Sequence, residues 1–296
     1  MRLPIHGCAR RECTSMNSVV LKKLMNNKLT LISCIMLVLM LVLALFAPWL
    51  TPHDPNFVSL EHKLEGPSST YLLGTDHLGR DILSRLIYGT QISLGISFIV
   101  MLLIILISVV IGTFSGYIGG VMDRIFMRFC DLLMAFPSLI LSLALLGILG
   151  PGMVNVIFAM VMSYWIWYAR WIRGMVITAK QQNFIQAARI AGTPSYKIIL
   201  FHIIPTILPP TIVLATLNLG SIILSISGLS FLGLGIQPPT PEWGAMLNDS
   251  KQFLKSNPML MLYPGVCIML VVMAFNFIGD ALRDALDPRQ ERIEVE

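Results

Sequence analysis

The sequence predicts an all-α membrane protein with six transmembrane helices and both termini on the cytoplasmic side. Three observations predict it. Of the 296 residues, 55% are hydrophobic and 12% charged, with a mean hydropathy of +0.76; soluble domains carry about 25% charged residues. Six apolar stretches, Leu29–Trp49, Ile92–Ser115, Phe126–Gly150, Met153–Trp171, Thr206–Gly228 and Pro258–Phe277, match the ~20 helical residues that cross a hydrocarbon core of ~30 Å. The basic residues are one-sided: of the 21 Lys and Arg, all but Lys63, Arg80, Arg85, Lys251 and Lys255 fall on the side holding the termini and the loops after spans two and four. Basic residues are retained in the cytoplasm, so that side is cytoplasmic. Runs such as LISCIMLVLMLVLALFA do not alternate, which excludes a membrane barrel. The net charge of +5 is accounted for by this bias and does not indicate nucleic-acid binding.

Residues 1–28 form a polar cytoplasmic tail without the apolar core of a signal peptide. Initiation at Met16 is an alternative that N-terminal sequencing decides. His6, Cys8 and Cys13 in this tail match no common zinc spacing, and Cys34, Cys130 and Cys267 lie in apolar stretches, where a thiol behaves as a small hydrophobe. No metal or cofactor site is expected.

Span one, 29–49, is followed by an external loop, 50–91, too long for a simple connection. Its end, DHLGRDILSRLIYG, puts Leu78, Ile82 and Leu86 on one helical face and Arg80, Asp81, Ser84 and Arg85 on another, which predicts an interfacial helix. Asp76, His77 and Asp81 are close enough to raise a metal site; the simpler reading is that Asp76 caps the helix and the charges face headgroups or protein.

Residues 92–277 are expected to form a five-helix core. Asp131 follows Arg128 by three residues, so an ion pair with Arg128 or Arg124 at the membrane edge is expected rather than a proton relay. Pro137 kinks span three, Gly150-Pro151-Gly152 makes a tight external turn, and span five begins at Pro209 and Pro210. WGAMLNDSKQFL in the last external loop reads as a short interfacial helix, and 278–296 as a charged cytoplasmic tail. There is no large soluble domain, no GxxxxGK[ST] phosphate loop and no Gly-Lys pair, so nucleotide chemistry must come from a partner.

Between spans four and five the cytoplasmic segment 178–205 contains helix formers up to residue 191, then Gly192 as terminator and Pro194 as restart. A short helix, a break and a second helix are predicted. Ala187, Ala188, Ala191 and Gly192 remove bulk from one sector, so another protein's surface can approach closely.

QAARIAGTPSYKIILFHIIP resembles the EAA loop of ABC importer permeases, with Ala187, Ala188, Gly192 and Pro205 in register; Gln186 stands where that pattern has Glu and Ile204 where it has Leu. GTDHLGRDILSR at 74–85, RFCDLLMAFP at 128–137, SFLGLGIQPPTPEWG at 230–244 and AFNFIGDALRDALDP at 274–288 resemble the C-type permease of dipeptide, oligopeptide and nickel importers, so the likeness runs from about residue 28 to 289. The resemblance implies a type I ABC importer fold in a bacterial inner membrane. It implies a heterodimer with a second permease, two ATP-binding subunits, an external solute-binding protein, and coupling through Phe184, Gln186, Ala187, Ala188, Gly192 and Pro205. The mechanism implied is alternating access, with the separate subunits hydrolysing ATP and this chain acting as a transporter rather than an enzyme. Gln186 keeps hydrogen-bonding capacity without the glutamate's charge.

For cargo, SYWIWYARWIRG at 163–174 and Gly228 ahead of LSFLGLG resemble nickel-type permeases more than dipeptide-type ones. The eighteen Met residues read as apolar filler, since none forms a series sharing a face with His or Cys. Nickel or a metal chelate and di- or oligopeptides both stay open. An ion-coupled secondary carrier would need carboxylates at mid-depth, and an intramembrane hydrolase a Ser–His or Asp pair; the spans supply neither, with His6, His53, His62, His77 and His202 all outside them.

Overall fold

Residues 28–286 are described in the computed structural model; His6, Cys8, Cys13, Met16 and residues 287–296 lie outside the described residues. In chain order the helices are α1 (Lys28–Leu45), α2 (Ala47–Leu50), α3 (Ile82–Ile118), α4 (Gly120–Met134), α5 (Ser138–Leu149), α6 (Met153–Lys180) and α7 (Asn183–Ile190). They continue with α8 (Ser195–Ile198), a π segment (Ile199–Ile203), α9 (Ile204–Phe231), α10 (Trp243–Ser250) and α11 (Met259–Leu286). Among the described residues four helices are long and apolar enough to cross a membrane: Lys28–Leu45, Ile82–Ile118, Ser195–Phe231 and Met259–Ala285. The bent pair α4–α5 makes a fifth if counted as one span. The stretch read as span four lies in α6 but falls outside this set, because Tyr164, Trp165, Trp167, Tyr168, Arg170 and Arg173 lower its hydropathy. Residues such as Val156, Met160, Ile166 and Ile172 are buried along it, and a helix sheathed by its neighbours can afford polar tips that a lipid-facing one cannot.

The α3–α6 contact is built from small residues. Ser108 Oγ donates to Trp165 O at 2.8 Å. A Cβ on Gly112 would stand 2.6 Å from Ala169 O, and one on Gly116 2.9 Å from Arg173 O. Serine and glycine at four-residue spacing thus let the two backbones touch, as small-xxx-small stripes do between membrane helices.

Several expectations are corrected where the chain enters α3. The predicted interfacial helix is the first part of α3, 37 residues long and so about 55 Å at 1.5 Å per residue. Asp81, not Asp76, caps it, accepting from Ser84 N at 3.1 Å. Asp76 instead closes the preceding turn, accepting from Leu78 N at 2.8 Å and Arg80 N at 3.0 Å. Arg80, Asp81 and Arg85 are buried and face protein, not headgroups. Arg80 Nε meets Asp76 at 2.6 Å and its Nη2 meets Asp249 at 3.3 Å, while Arg85 donates to Pro55 O at 3.1 Å. Asp76 is held by Arg80, Asp81 Oδ2 by the Ser84 amide and hydroxyl, and His77 stacks on Phe253 at 5.5 Å, so the three side chains serve separate local partners. Among the described residues no group of three His, Cys, Asp or Glu side chains is placed to hold a metal.

The helix within WGAMLNDSKQFL is not interfacial either: Trp243, Gly244, Ala245 and Met246 are buried. Glu242 caps it, taking hydrogen bonds from Gly244 N at 2.9 Å and Ala245 N at 2.8 Å, and Ser93 Oγ lies 3.4 Å away. Burial pushes the Glu242 carboxyl up from its ordinary range, against these hydrogen bonds. Trp243 Nε1 donates to Leu86 O at 3.3 Å, and its indole lies where a Cβ on Gly89 would be, 2.8 Å away. The loop between α9 and α11 is therefore bolted to the start of α3 and the end of α9.

Span three is two helices. Pro137, unable to donate an amide hydrogen bond, follows the end of α4, and α5 leaves at 84° to it. Gly150 and Gly152 have φ of 81° and 145°, the tight turn expected. Pro209 and Pro210 lie inside α9 rather than at its start; membrane helices tolerate proline where neighbours relieve the freed carbonyls.

Candidate coupling site

The segment between α6 and α9 folds as a short rod between two breaks. α6 runs on to Lys180, so residues 178–180 belong to it and not to the short helix, which is α7, eight residues from Asn183 to Ile190. Its C-terminal end is a Schellman motif: Gly192 N donates to Arg189 O and Thr193 N to Ala188 O, each at 3.1 Å. Gly192 sits at φ +78°, where glycine avoids the Cβ penalty. Pro194 then opens α8. A break at Gly192 followed by a helical restart at Pro194 matches what the residues predict.

One side chain anchors the rod. Ile185 is buried among Ile172, Val176 and Ala179 of α6, Ile198 of α8, and Ile203 and Ile207 farther along. Gln186 Nε2 donates to Lys180 O at 2.8 Å, closing the α6–α7 corner, and the Phe184 ring meets the His202 ring edge-on at 6.3 Å. The opposite face is open: Ala187, Arg189 and Ala191 are exposed, Ile190 is 87% exposed and Tyr196 61%. Exposed apolar side chains gathered on one small element mark a contact surface.

Phe184, Gln186, Ala187, Ala188 and Gly192 are thus brought together on α7 and its cap, with Ala188 half-buried and the others exposed. Pro205 is apart from them, in the first turn of α9. Lacking an N–H, it leaves Phe201 O without its helical donor. Directly before it the backbone widens into the π segment, where Ile204 N bonds back to Ile199 O. π-bulges of this kind recur at functional sites.

The base of the rod is tied by charges that sequence reasoning missed. Arg173 grips Asp123 with two hydrogen bonds, Nε–Oδ1 2.6 Å and Nη2–Oδ2 2.5 Å, and Ser115 Oγ donates to the same carboxylate. Lys180 Nζ donates to Tyr117 O at 2.6 Å. These contacts tie the last turn of α3 and the first turn of α4 to the second half of α6. Asp131 pairs with Arg170 at 2.5 Å, across from α4 to α6, and not with Arg128 or Arg124 as the i,i+3 spacing suggested. A signal was present, in arginines placed four residues or fewer from a run of aromatics, but it named no partner.

A family profile described as "Binding-protein-dependent transport system inner membrane component" matches residues 108–292, more than half of the chain. The chain belongs to that family. A second profile, "N-terminal TM domain of oligopeptide transport permease C", matches residues 15–67. The nickel transport system permease protein NikC of Escherichia coli K12 is 44% identical over 257 residues, 87% of this chain and 93% of the relative. The dipeptide transport system permease protein DppC of Alkalihalophilus pseudofirmus is 42% identical over 270 residues, 91% of this chain and 89% of its own. The glutathione transport system permease protein GsiD of Pectobacterium atrosepticum is 42% identical over 252 residues, 85% and 84%. The chain is thus a multi-pass ABC importer permease, a transporter subunit rather than an enzyme, that works with separate ATPase and binding-protein subunits.

Proposed function

We propose that this permease forms half of a translocation path in a bacterial inner membrane, as a heterodimer with a second permease on two ATP-binding subunits. In this reading it spans the membrane six times with both termini in the cytoplasm, α6 serving as the fourth span and α4–α5 as the third. The loop 178–205 is the coupling element: Phe184, Gln186, Ala187, Ala188 and Gly192 present α7 to an ATPase subunit, and Pro205 shapes the helix that carries the movement inward. The cargo is nickel or a metal chelate, or a di- or oligopeptide; its relatives include a nickel and a dipeptide transport system permease.

The observation that carries this reading is the rod itself. α7 is anchored on its inner side by Ile185 and by the Gln186–Lys180 hydrogen bond, exposed on its outer side, and joined through a short break at each end to the long helices α6 and α8–α9. A stiff element so placed transfers a push to both helices at once. The test is Gly192→Asp. Asp tolerates the left-handed backbone, and nothing lies within 4 Å of a Cβ there, so the variant is expected to insert and fold. It is expected to lose co-purification with the ATPase subunits and ATP-driven uptake together; retention of both would contradict the coupling role.

A further inference from the structure

A cavity of about 570 Å³ opens between α6 and α9, beside the turn into α7, with Arg170, Gly174 and Thr178 on one wall and Thr206 and Pro210 on the other. Arg170, Gly174 and Thr178 recur every four residues on one exposed face of α6. At 1.5 Å per residue Arg170 lies about 25 Å from the start of α6, close to the far edge of roughly 30 Å of hydrocarbon. A charged group there faces water, headgroups or protein rather than lipid tails.

The two arginines of α6 are held differently. Arg173 is satisfied by a bidentate carboxylate. Arg170 touches Asp131 through Nη1 alone, at 2.5 Å, and the same nitrogen lies 3.7 Å from Met134 Sδ. Its Nε and Nη2 have no protein partner among the described residues, and its side chain is 50% exposed. A planar guanidinium with one edge held and the other open is suited to a second carboxylate.

We infer that the α6–α9 groove is this chain's wall of the translocation path and that Arg170 receives a carboxylate of the passing cargo, Asp131 holding the guanidinium in place between passages. The inference rests on the permease reading above and narrows its cargo. Arg170 offers a bare divalent cation no ligand; a peptide with a free C-terminus, or a metal ion bound by a carboxylate chelator, is received.

The test uses the reconstituted complex with the cysteines of this chain replaced and Thr178→Cys introduced. Methanethiosulfonate reagents bearing a sulfonate or a trimethylammonium group are applied from the cytoplasmic side. The anionic reagent is expected to react about fivefold faster than the cationic one, relative to a free thiol, the factor that ~1 kcal/mol of charge interaction gives. Arg170→Gln is expected to reverse that preference and Asp131→Asn to increase it. If Thr178→Cys reacts with neither reagent while the complex still imports with ATP, the groove is covered and the inference is overturned, the permease reading standing. A preference unchanged in both charge variants overturns the role of Arg170. Uptake assays with a dipeptide, a nickel–histidine complex and nickel in chelator-free medium separate the cargo sources. Uptake of either or both carboxylate-bearing forms without the bare ion supports the charge filter, and uptake of the bare ion overturns it. A complex that imports nothing with ATP sinks the permease reading itself.

Discussion

At Gly192 the backbone reaches φ +78° with open space around the Cα, so the cost of a side chain there is conformational rather than steric. A β-branched residue pays the left-handed penalty of about 1–2 kcal/mol, and Asp less. Gly192→Val is therefore expected to lower the melting temperature of the purified complex more than Gly192→Asp, by differential scanning fluorimetry. The Asp123–Arg173 pair makes a different prediction. The guanidinium is held by two hydrogen bonds that need the ionised carboxylate, so the pair's stabilisation is present above the ordinary carboxylate pKa of about 3.9. Arg173→Gln should thus destabilise by about 2 kcal/mol near pH 7, less than the 3–5 of a fully buried broken pair, and the wild-type advantage should shrink only below about pH 4. Unfolding curves at several pH values read both; a wild-type advantage that disappears between pH 5 and 7 would contradict the assignment.

Among the elements, α7 was the most legible in the sequence. Gly192 and Pro194 mark its end by backbone chemistry that acts locally, and the structure differs only in giving residues 178–180 to α6. Elements set by tertiary contact were less legible. Pro137 announces a disturbance but not an 84° bend. The i,i+3 rule pointed Asp131 at Arg128, yet its partner comes from α6, since exposed local pairs are worth only a few tenths of a kcal/mol. The charges of DHLGRDILSRLIYG read as an amphipathic surface because nothing local reveals that Asp76, Asp249 and two backbone carbonyls await the arginines. The spacing of Ser108, Gly112 and Gly116 was visible, but in so apolar a helix only the partner's backbone gives it meaning. Gly112→Leu is expected to force α3 and α6 apart against Ala169 O, at a cost above the ~1–3 kcal/mol of ordinary overpacking. Ser108→Ala should cost only about 1 kcal/mol. Yield of monodisperse complex in detergent ranks the two, and equal yields would contradict the close α3–α6 contact.

On the scale of the whole molecule, the two ends of the bundle are built differently. At one, Glu242 and Trp243 bolt the last loop to α3, and Arg80 ties the 51–81 lobe to Asp249. At the other, α7 rests on one isoleucine cluster and presents most of its surface outward. Alternating access then needs an outside engine, since the chain has no nucleotide-binding loop of its own. The most direct measurement is solute flux in liposomes holding the permease pair with and without the ATPase subunits. Flux that requires the ATPase subunits and ATP is the result this account predicts; flux through the permease pair alone would contradict it.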